Sequence, residues 1–235
     1  MTTLLHIDSS ARPGRSGIDA RGSHSRRLTA RFVQRWREIA PRVNVIYRDV
    51  GANPPPPVSG DWIRAAFTPE HARDASMREV LATSDELVAD LMAADVIVAG
   101  VPMYNFGPPA QFKAYIDNIV RVGKTFGFDR SRAGEPYWPL LADAGKRLVI
   151  LSSRGDYGYE PGERIADRNH LEASIRTAFA YIGITESWSV AAEYDEFGDQ
   201  RWLASIEKAE QETDRLVQQL TRSSPCRWAS GHAAA

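Results

Sequence analysis

The chain has 235 residues with a formal net charge of -1, and 43% of its residues are hydrophobic, which is typical of one globular domain. A nearly neutral charge gives no reason to expect nucleic acid as a partner. The single cysteine, Cys226, excludes an internal disulfide framework and favours a reducing compartment. No stretch resembles a signal peptide or reaches membrane-spanning length. We therefore expect a cytoplasmic protein, without a membrane partner, that acts on a small molecule.

The N-terminal third begins with a strand and a helix joined by a polar loop. Residues Leu4 to Ile7 form a short apolar run, and the residues after Ser10 are rich in Arg, Gly and Ser. A helix is predicted from Ser25, with Ser23 or Ser25 as its N-cap. One face of this helix carries Leu28, Phe32, Val33, Trp36 and Ile39.

The loop before this helix has the composition of an anion site. The first amides of a helix are unpaired and its dipole favours negative charge, so hydroxyls at Ser10, Ser23 and Ser25 beside them would bind a phosphate. The pattern GxGxxG and a Walker lysine do not occur, which leaves a mononucleotide rather than a dinucleotide or ATP. Alternatively, these serines only cap the helix and shape the turn.

The stretch from Val96 to Val120 predicts a strand, a loop and a helix. Six apolar residues follow Asp95, as in a strand buried on both faces of a parallel sheet. A helix follows the loop, with Pro108 and Pro109 suited to its first turn. Its apolar face is formed by Phe112, Tyr115, Ile116, Ile119 and Val120.

The loop between this strand and helix is the best candidate for a binding site. In open α/β sheets, ligands bind at the carboxyl ends of the strands. Met103, Tyr104 and Phe106 offer flat or polarisable surface, and the backbone near Asn105 and Gly107 can approach a planar ring such as a flavin. The alternative is that these side chains simply cover the end of the sheet.

The remaining elements complete an α/β pattern. A second strand is predicted at 43–47, a stiff proline-rich connector at 52–60, and a helix from about Ser76. The aromatic segment 123–145 lacks periodicity and would serve as a lid, a subunit contact or packing over the sheet edge. Further strands are predicted at 146–151 and 187–192, with helices at 171–182, ended by Gly183, and 203–220.

This alternation predicts one α/β domain over residues 1–220 with a doubly wound, five-stranded parallel sheet in the order 2-1-3-4-5. Residues 221–235 are expected to form a disordered tail.

The chain resembles the FMN-dependent NADH-azoreductase family, flavodoxin-like flavoenzymes that are also described as quinone reductases. The resemblance covers nearly all of residues 1–220, and its most specific motif is Pro102-Met103-Tyr104-Asn105-Phe106 between a strand and a helix. Supporting segments are Ser9-Ser10, Ser23-His24-Ser25, 111–113, Ser153-Arg154-Gly155 and 181–184.

The resemblance implies a role for each matching segment. The FMN phosphate would be held by Ser10, Ser23, His24 and Ser25. The isoalloxazine would be lined by Pro102, Met103, Tyr104, Asn105 and Phe106, with an amide near Asn105 directed at N5. The pyrimidine edge would face Ser153, Arg154, Gly155 and the following Asp156. The resemblance also implies a homodimer with active sites at the subunit interface, where Phe128 and Tyr181 would stack over a bound quinone or dye.

Two departures from the family pattern affect the expected chemistry. Asp156 stands where the family usually has glycine, and its carboxylate would disfavour flavin reduction unless it turns outward or pairs with an arginine. The loop between Ser10 and Ser23 is longer than usual and adds Arg12, Arg15 and Arg21.

The main hypothesis is a ping-pong flavoenzyme in which NADH or NADPH reduces FMN, and a quinone or azo compound then takes the hydride. No catalytic side chain is required. Alternatives are a flavodoxin-like electron carrier, an NADPH-dependent FMN or metal-ion reductase, and a phospho-receiver. A phospho-receiver needs a cluster of acidic residues and a lysine at the ends of its strands, and in this sequence only Asp8 fits that pattern. The five histidines are too scattered to suggest a metal site.

Overall fold

The computed structural model describes residues 1–222, and its centre is a five-stranded parallel sheet. Its strands are β1 (Thr2–Asp8), β2 (Val43–Asp49), β3 (Val96–Pro102), β6 (Arg147–Ser153) and β7 (Glu186–Ala192). The order β2-β1-β3-β6-β7 confirms the predicted order 2-1-3-4-5, because β4 (Phe126–Phe128) and β5 (Tyr137–Pro139) lie outside this sheet. Every residue of β3 and β6 is buried, as the continuous apolar pattern predicts.

Helices cover both faces of the sheet. They are α1 (His24–Ile39), α2 (Gly60–Phe67), α3 (Ala75–Ala93), α4 (Ala110–Ile119), α5 (Leu171–Tyr181) and α6 (Gln200–Arg222). One core joins α1 and α6 to the sheet, and a second core joins α3, α4 and α5 to the opposite face. No helix within residues 1–222 is long and apolar enough to span a bilayer.

The structure differs from the sequence expectations in four places. Helix α2 follows the proline-rich connector and packs Trp62 against Leu81, but it is too short to show a clear periodicity. Helix α4 begins at Ala110, so both prolines precede its first turn, and the Pro109 carbonyl accepts from the Phe112 amide. The aromatic segment contains an antiparallel hairpin, formed by β4 (Phe126–Phe128) and β5 (Tyr137–Pro139).

Helix α6 runs to Arg222, two residues beyond its expected end. The rest of the predicted tail lies outside the described residues, and the domain boundary after residue 220 stays a prediction. Gly183 ends α5 as expected, with a left-handed backbone at φ 103°.

Candidate functional site

A cavity of about 200 Å³ lies at the carboxyl ends of the parallel strands. It is lined by Ser10, Arg12, Ser23, His24, Pro102, Met103, Tyr104, Ser153, Gly155, Asp195 and Glu196. The fold thus brings together residues from the loops after β1, β3 and β6, each of which was predicted separately to contribute to a binding site. A larger cavity of about 890 Å³ between α1 and β2 contains none of the predicted site residues.

The N-terminus of α1 forms one wall of the cavity. Ser23 caps the helix, since its Oγ accepts a hydrogen bond from the Arg26 amide at 3.4 Å. The Ser25 hydroxyl oxygen lies 3.0 Å from Ser23 Oγ. No acidic residue stands in the first turn of α1. The amides of His24 and Ser25 donate to no acceptor in residues 1–222. These free donors and the helix dipole make this wall suited to an anion.

A buried arginine that sequence analysis missed holds the loop after β1 in place. The Arg26 guanidinium donates to the carbonyls of Ser10 at 2.9 Å and Arg12 at 3.0 Å, and pairs with Asp49 at 2.6 Å. Burial disfavours its charge, but its hydrogen bonds to the Asp49 carboxylate and the charge of Asp8 outweigh burial and raise the pKa of Arg26. The loop is therefore pre-organised before any ligand binds.

The loop after β3 forms a tight turn on the neighbouring wall. Tyr104 and Gly107 exchange backbone hydrogen bonds of 2.9 and 3.2 Å around Asn105 and Phe106, which have φ values of 47° and 70°. Positive φ at both central positions is the geometry of a type I′ turn, and it strains a phenylalanine. Within the described chain, the amides of Asn105 and Phe106 have no acceptor. The turn therefore presents two free donors beside its aromatic side chains.

This turn is tied directly to the loop after β1. The Tyr104 hydroxyl accepts from the Ala11 amide at 3.2 Å, and Gln111 donates to the Ser9 carbonyl at 2.8 Å. These contacts hold the loop after β1 against the turn, and Ser23, His24, Met103 and Tyr104 line the same cavity.

The end of β6 and the loop after it contribute Ser153 and Gly155 to the cavity, but not Arg154. Ser153 and Gly155 line the cavity, whereas the Arg154 guanidinium lies among three carboxylates. These belong to Glu172 at 2.7 Å, Glu160 at 2.9 Å and Glu193 at 3.0 Å. The Arg154 guanidinium therefore does not line the cavity, because its charge is used to hold the loop.

Asp156 pairs with Arg164 at 2.6 Å and does not line the cavity. Desolvation opposes its charge, but the Arg164 hydrogen bond prevails and lowers the pKa of Asp156 below its ordinary value. Pairing with an arginine is one condition under which this carboxylate is tolerated near a flavin, and Asp156 meets it.

Two acidic residues that were not predicted from the sequence, Asp195 and Glu196, follow β7 and line the cavity. Asp195 Oδ1 lies 2.8 Å from His24 Nε2, and the other ring nitrogen of His24 lies 2.7 Å from Ser16 Oγ. Burial tends to raise the pKa of Asp195, but His24 and Arg12 lower it overall. The available signal was their position, because polar residues after any strand of a parallel sheet reach the same edge.

The predicted substrate residues form a separate aromatic cluster. The ring of Phe128 stacks on that of Tyr137 with 4.8 Å between their centroids, and the ring centroids of Tyr137 and Tyr181 are 6.2 Å apart. Neither Phe128 nor Tyr181 lines the 200 Å³ cavity. The fold brings the two residues together, on the hairpin and the end of α5, but not into the cavity of their own chain.

The donors of the cavity fit the phosphate of FMN, and the free amides and aromatic side chains of the 104–107 turn fit a planar ring. The carboxylates of Asp195 and Glu196 oppose a bound phosphate. Among residues 1–222, no group of three or more His, Cys, Asp or Glu side chains is arranged to hold a metal.

Comparisons with known proteins agree with this geometry. A family described as having a flavodoxin-like fold matches residues 2–217. Over 223 residues the chain is 42% identical to FMN-dependent NADH:quinone oxidoreductase 2 of Idiomarina loihiensis, covering 95% of this chain and 92% of that protein. It is 41% identical over 212 residues to FMN-dependent NAD(P)H:quinone oxidoreductase 1 of Pseudomonas aeruginosa, covering 90% and 96% respectively.

A solved structure shares the same fold. The FMN-dependent NADH-azoreductase from Bacillus anthracis, in complex with FMN, matches with a TM-score of 0.78 at 19% identity. The match covers 94% of this chain and 99% of that one.

Proposed function

Because this chain belongs to the flavodoxin-like family that includes the FMN-dependent NADH:quinone oxidoreductases, we propose that it uses FMN and NADH or NADPH to reduce quinones and azo compounds. The observation that carries the proposal is that the capped N-terminus of α1, with its free amides, and the loop after β3, with its aromatic turn, line one cavity. A phosphate and a planar ring of one ligand require these two features side by side.

The residues of the chain would bind and orient the cofactor. Ser10, Ser23, His24 and Ser25, with the first amides of α1, would hold the phosphate. The turn that follows Met103 would lie against the ring, with its free amides at Asn105 and Phe106 as donors. The Gly155 amide, which has no acceptor in the described chain, would serve the pyrimidine edge in place of the Arg154 guanidinium.

FMN, when bound, supplies hydride transfer, so the protein's contribution is binding, orientation and the electrostatic environment of the ring. The nicotinamide and the acceptor would use the same open face in turn, which is a ping-pong order. Loss of any single side chain in the turn should therefore lower the rate without abolishing it.

We also propose a homodimer in which the aromatic cluster of one subunit completes the site of its partner. In support, Phe128 and Tyr181 lie outside their own cavity, and Tyr137, Leu140 and Tyr181 are exposed on one chain. If the cluster contacts the acceptor, Tyr181→Ala should raise KM for a quinone and leave the affinity for FMN unchanged. Light scattering measures the mass of the particle independently.

A cytoplasmic location is proposed because one cysteine suits a reducing compartment.

The direct test is the colour and redox behaviour of the purified protein. We expect a yellow protein that releases FMN on denaturation, bleaches on addition of NADH or NADPH, and regains colour with a quinone or an azo dye. A folded, colourless protein that takes up no added FMN would refute the proposal. Rates with both nucleotides and a panel of quinones and dyes would then define its specificity.

A further inference from the structure

We propose that Asp195 is an internal competitor for the phosphate of FMN, so that its carboxylate must release His24 when the cofactor binds. This inference rests on the proposed function and adds a determinant of cofactor affinity to it. The motivating feature is an acidic side chain placed against the donors of an anion site.

The carboxylate of Asp195 occupies the donors that a phosphate would use. Its Oδ1 lies 2.8 Å from His24 Nε2, at the first residue of α1, and its Oδ2 lies 3.8 Å from the Arg12 guanidinium. The Arg12 side chain is 59% exposed, so the shorter contact with His24 is the stronger of the two. A carboxylate beside a helix N-terminus gains from the dipole as a phosphate does, and the two anions therefore compete.

Charge and space in the cavity agree with competition. Arg12 and His24 are its basic side chains, and both Asp195 and Glu196 line it. A phosphate monoester brings a charge of about -1.5 to -2 at neutral pH, which these two carboxylates would repel. The volume of about 200 Å³ also lies below the roughly 300–1,000 Å³ of typical small-molecule sites. Withdrawal of Asp195 would relieve both conflicts.

The backbone around Asp195 is anchored, so its side chain is the part that can move. The amides of Asp195 and Glu196 donate at 3.2 Å to the carbonyls of Arg154 and Gly155. The preceding Tyr194, at φ 69°, stacks on Tyr157 with 4.6 Å between ring centroids. These contacts hold the backbone against the loop after β6. A rotation about the side-chain bonds of Asp195 is the least costly way to free the site.

His24 stays in place after the carboxylate leaves. Its Nδ1 lies 2.7 Å from Ser16 Oγ, and its ring packs 4.2 Å from the ring of Trp202. The Nε2 atom would therefore remain directed at the cavity, available to a phosphate oxygen.

The test compares flavin affinities of the wild-type protein, D195N and E79Q. Asn preserves the shape of Asp195 while removing its charge, and E79Q removes one charge from the exposed surface of α3. Dissociation constants are measured by quenching of flavin fluorescence in apoprotein titrations, for both FMN and riboflavin. We expect D195N to bind FMN about tenfold more tightly, because a neutral amide binds His24 less strongly than a carboxylate does and is displaced more easily by the phosphate. Riboflavin lacks the phosphate, so its affinity should not change, and E79Q should match the wild type.

A second set of variants tests whether the effect passes through His24. In an H24A background, D195N should give a smaller gain in FMN affinity, because the contested donor is gone. Circular dichroism of each variant checks folding, and D195S replaces D195N if the latter does not fold.

Unchanged or weaker FMN binding by D195N would overturn the inference, and so would an equal gain for riboflavin. If neither the wild type nor D195N binds FMN, the proposed function fails as well. If the wild type binds FMN and D195N shows no gain, the inference alone fails.

Discussion

Replacing Arg154 with methionine should remove the support of the loop after β6. Arg154 is 1% exposed at its side chain, and its guanidinium lies between Glu172, which is 7% exposed, and two other carboxylates. Methionine fills a similar volume but leaves Glu172 buried without its cation. Breaking a buried ion pair in this way costs about 3–5 kcal/mol. For a chain of this size that corresponds to a fall in Tm of roughly 6–20 °C.

The pH dependence of this loss follows from Glu172. Burial opposes its charge, but Arg154 outweighs burial and lowers the pKa of Glu172, so its stabilising contribution is present above its unfolded pKa and is lost in acid. In R154M, burial without the cation would raise the pKa of Glu172 above its unfolded value. Protonation then relieves the penalty, so the difference in stability between R154M and the wild type should narrow between pH 7 and pH 5.

The assay is urea unfolding followed by tryptophan fluorescence at both pH values. The double variant R154M/E172Q should recover much of the lost stability, since it removes the unpaired charge. R164M is the matched control, because Arg164 is 47% exposed and solvent screens its pair with Asp156, so its loss should change stability little. A loss below about 1 kcal/mol in R154M, or no recovery in the double variant, would refute the argument.

Three further predictions test the local geometry. Ser23→Ala removes the cap of α1, so it should lower the free energy of unfolding by about 1 kcal/mol in a urea titration and weaken FMN binding. Ser59→Ala removes the cap of α2 and should lower stability by the same amount without affecting FMN binding. Phe106→Gly places Asn-Gly in the turn and relieves the strain of a φ of 70°. The free energy of unfolding should therefore stay equal or rise by up to about 1 kcal/mol, while quinone reduction slows. A clear fall in Tm would contradict the strain at Phe106. Gly183→Ala should lower stability by more than about 1 kcal/mol in thermal melting, since φ at Gly183 is 103° and a Cβ would overlap the neighbouring backbone. Gly60→Ala is the control, because Gly60 lies in helix α2 with open space around it, and it should raise stability by roughly 0.5–1 kcal/mol.

The strands and longer helices were predictable because their signals are local. The apolar run of β3 and the apolar face of α1 follow from residues close in the chain, and Ser23 was one of two expected caps. The loop from Met103 to Phe106 was also recognisable, because ligand sites in this class of sheet lie at the carboxyl ends of the strands. Helix α2 and the hairpin were missed since elements of eight and three residues are too short for periodicity.

The order of the elements, the capped helix terminus and the aromatic turn can be predicted locally, since each depends on neighbours a few residues apart. Which charged groups meet depends instead on how distant elements pack. His24 and Asp195 are far apart in the chain and 2.8 Å apart in space, and Arg154 turns towards Glu172 rather than the cavity. Hydrophobic patterning sets which face of an element is buried, but the partner of a buried charge depends on the packing of several elements at once.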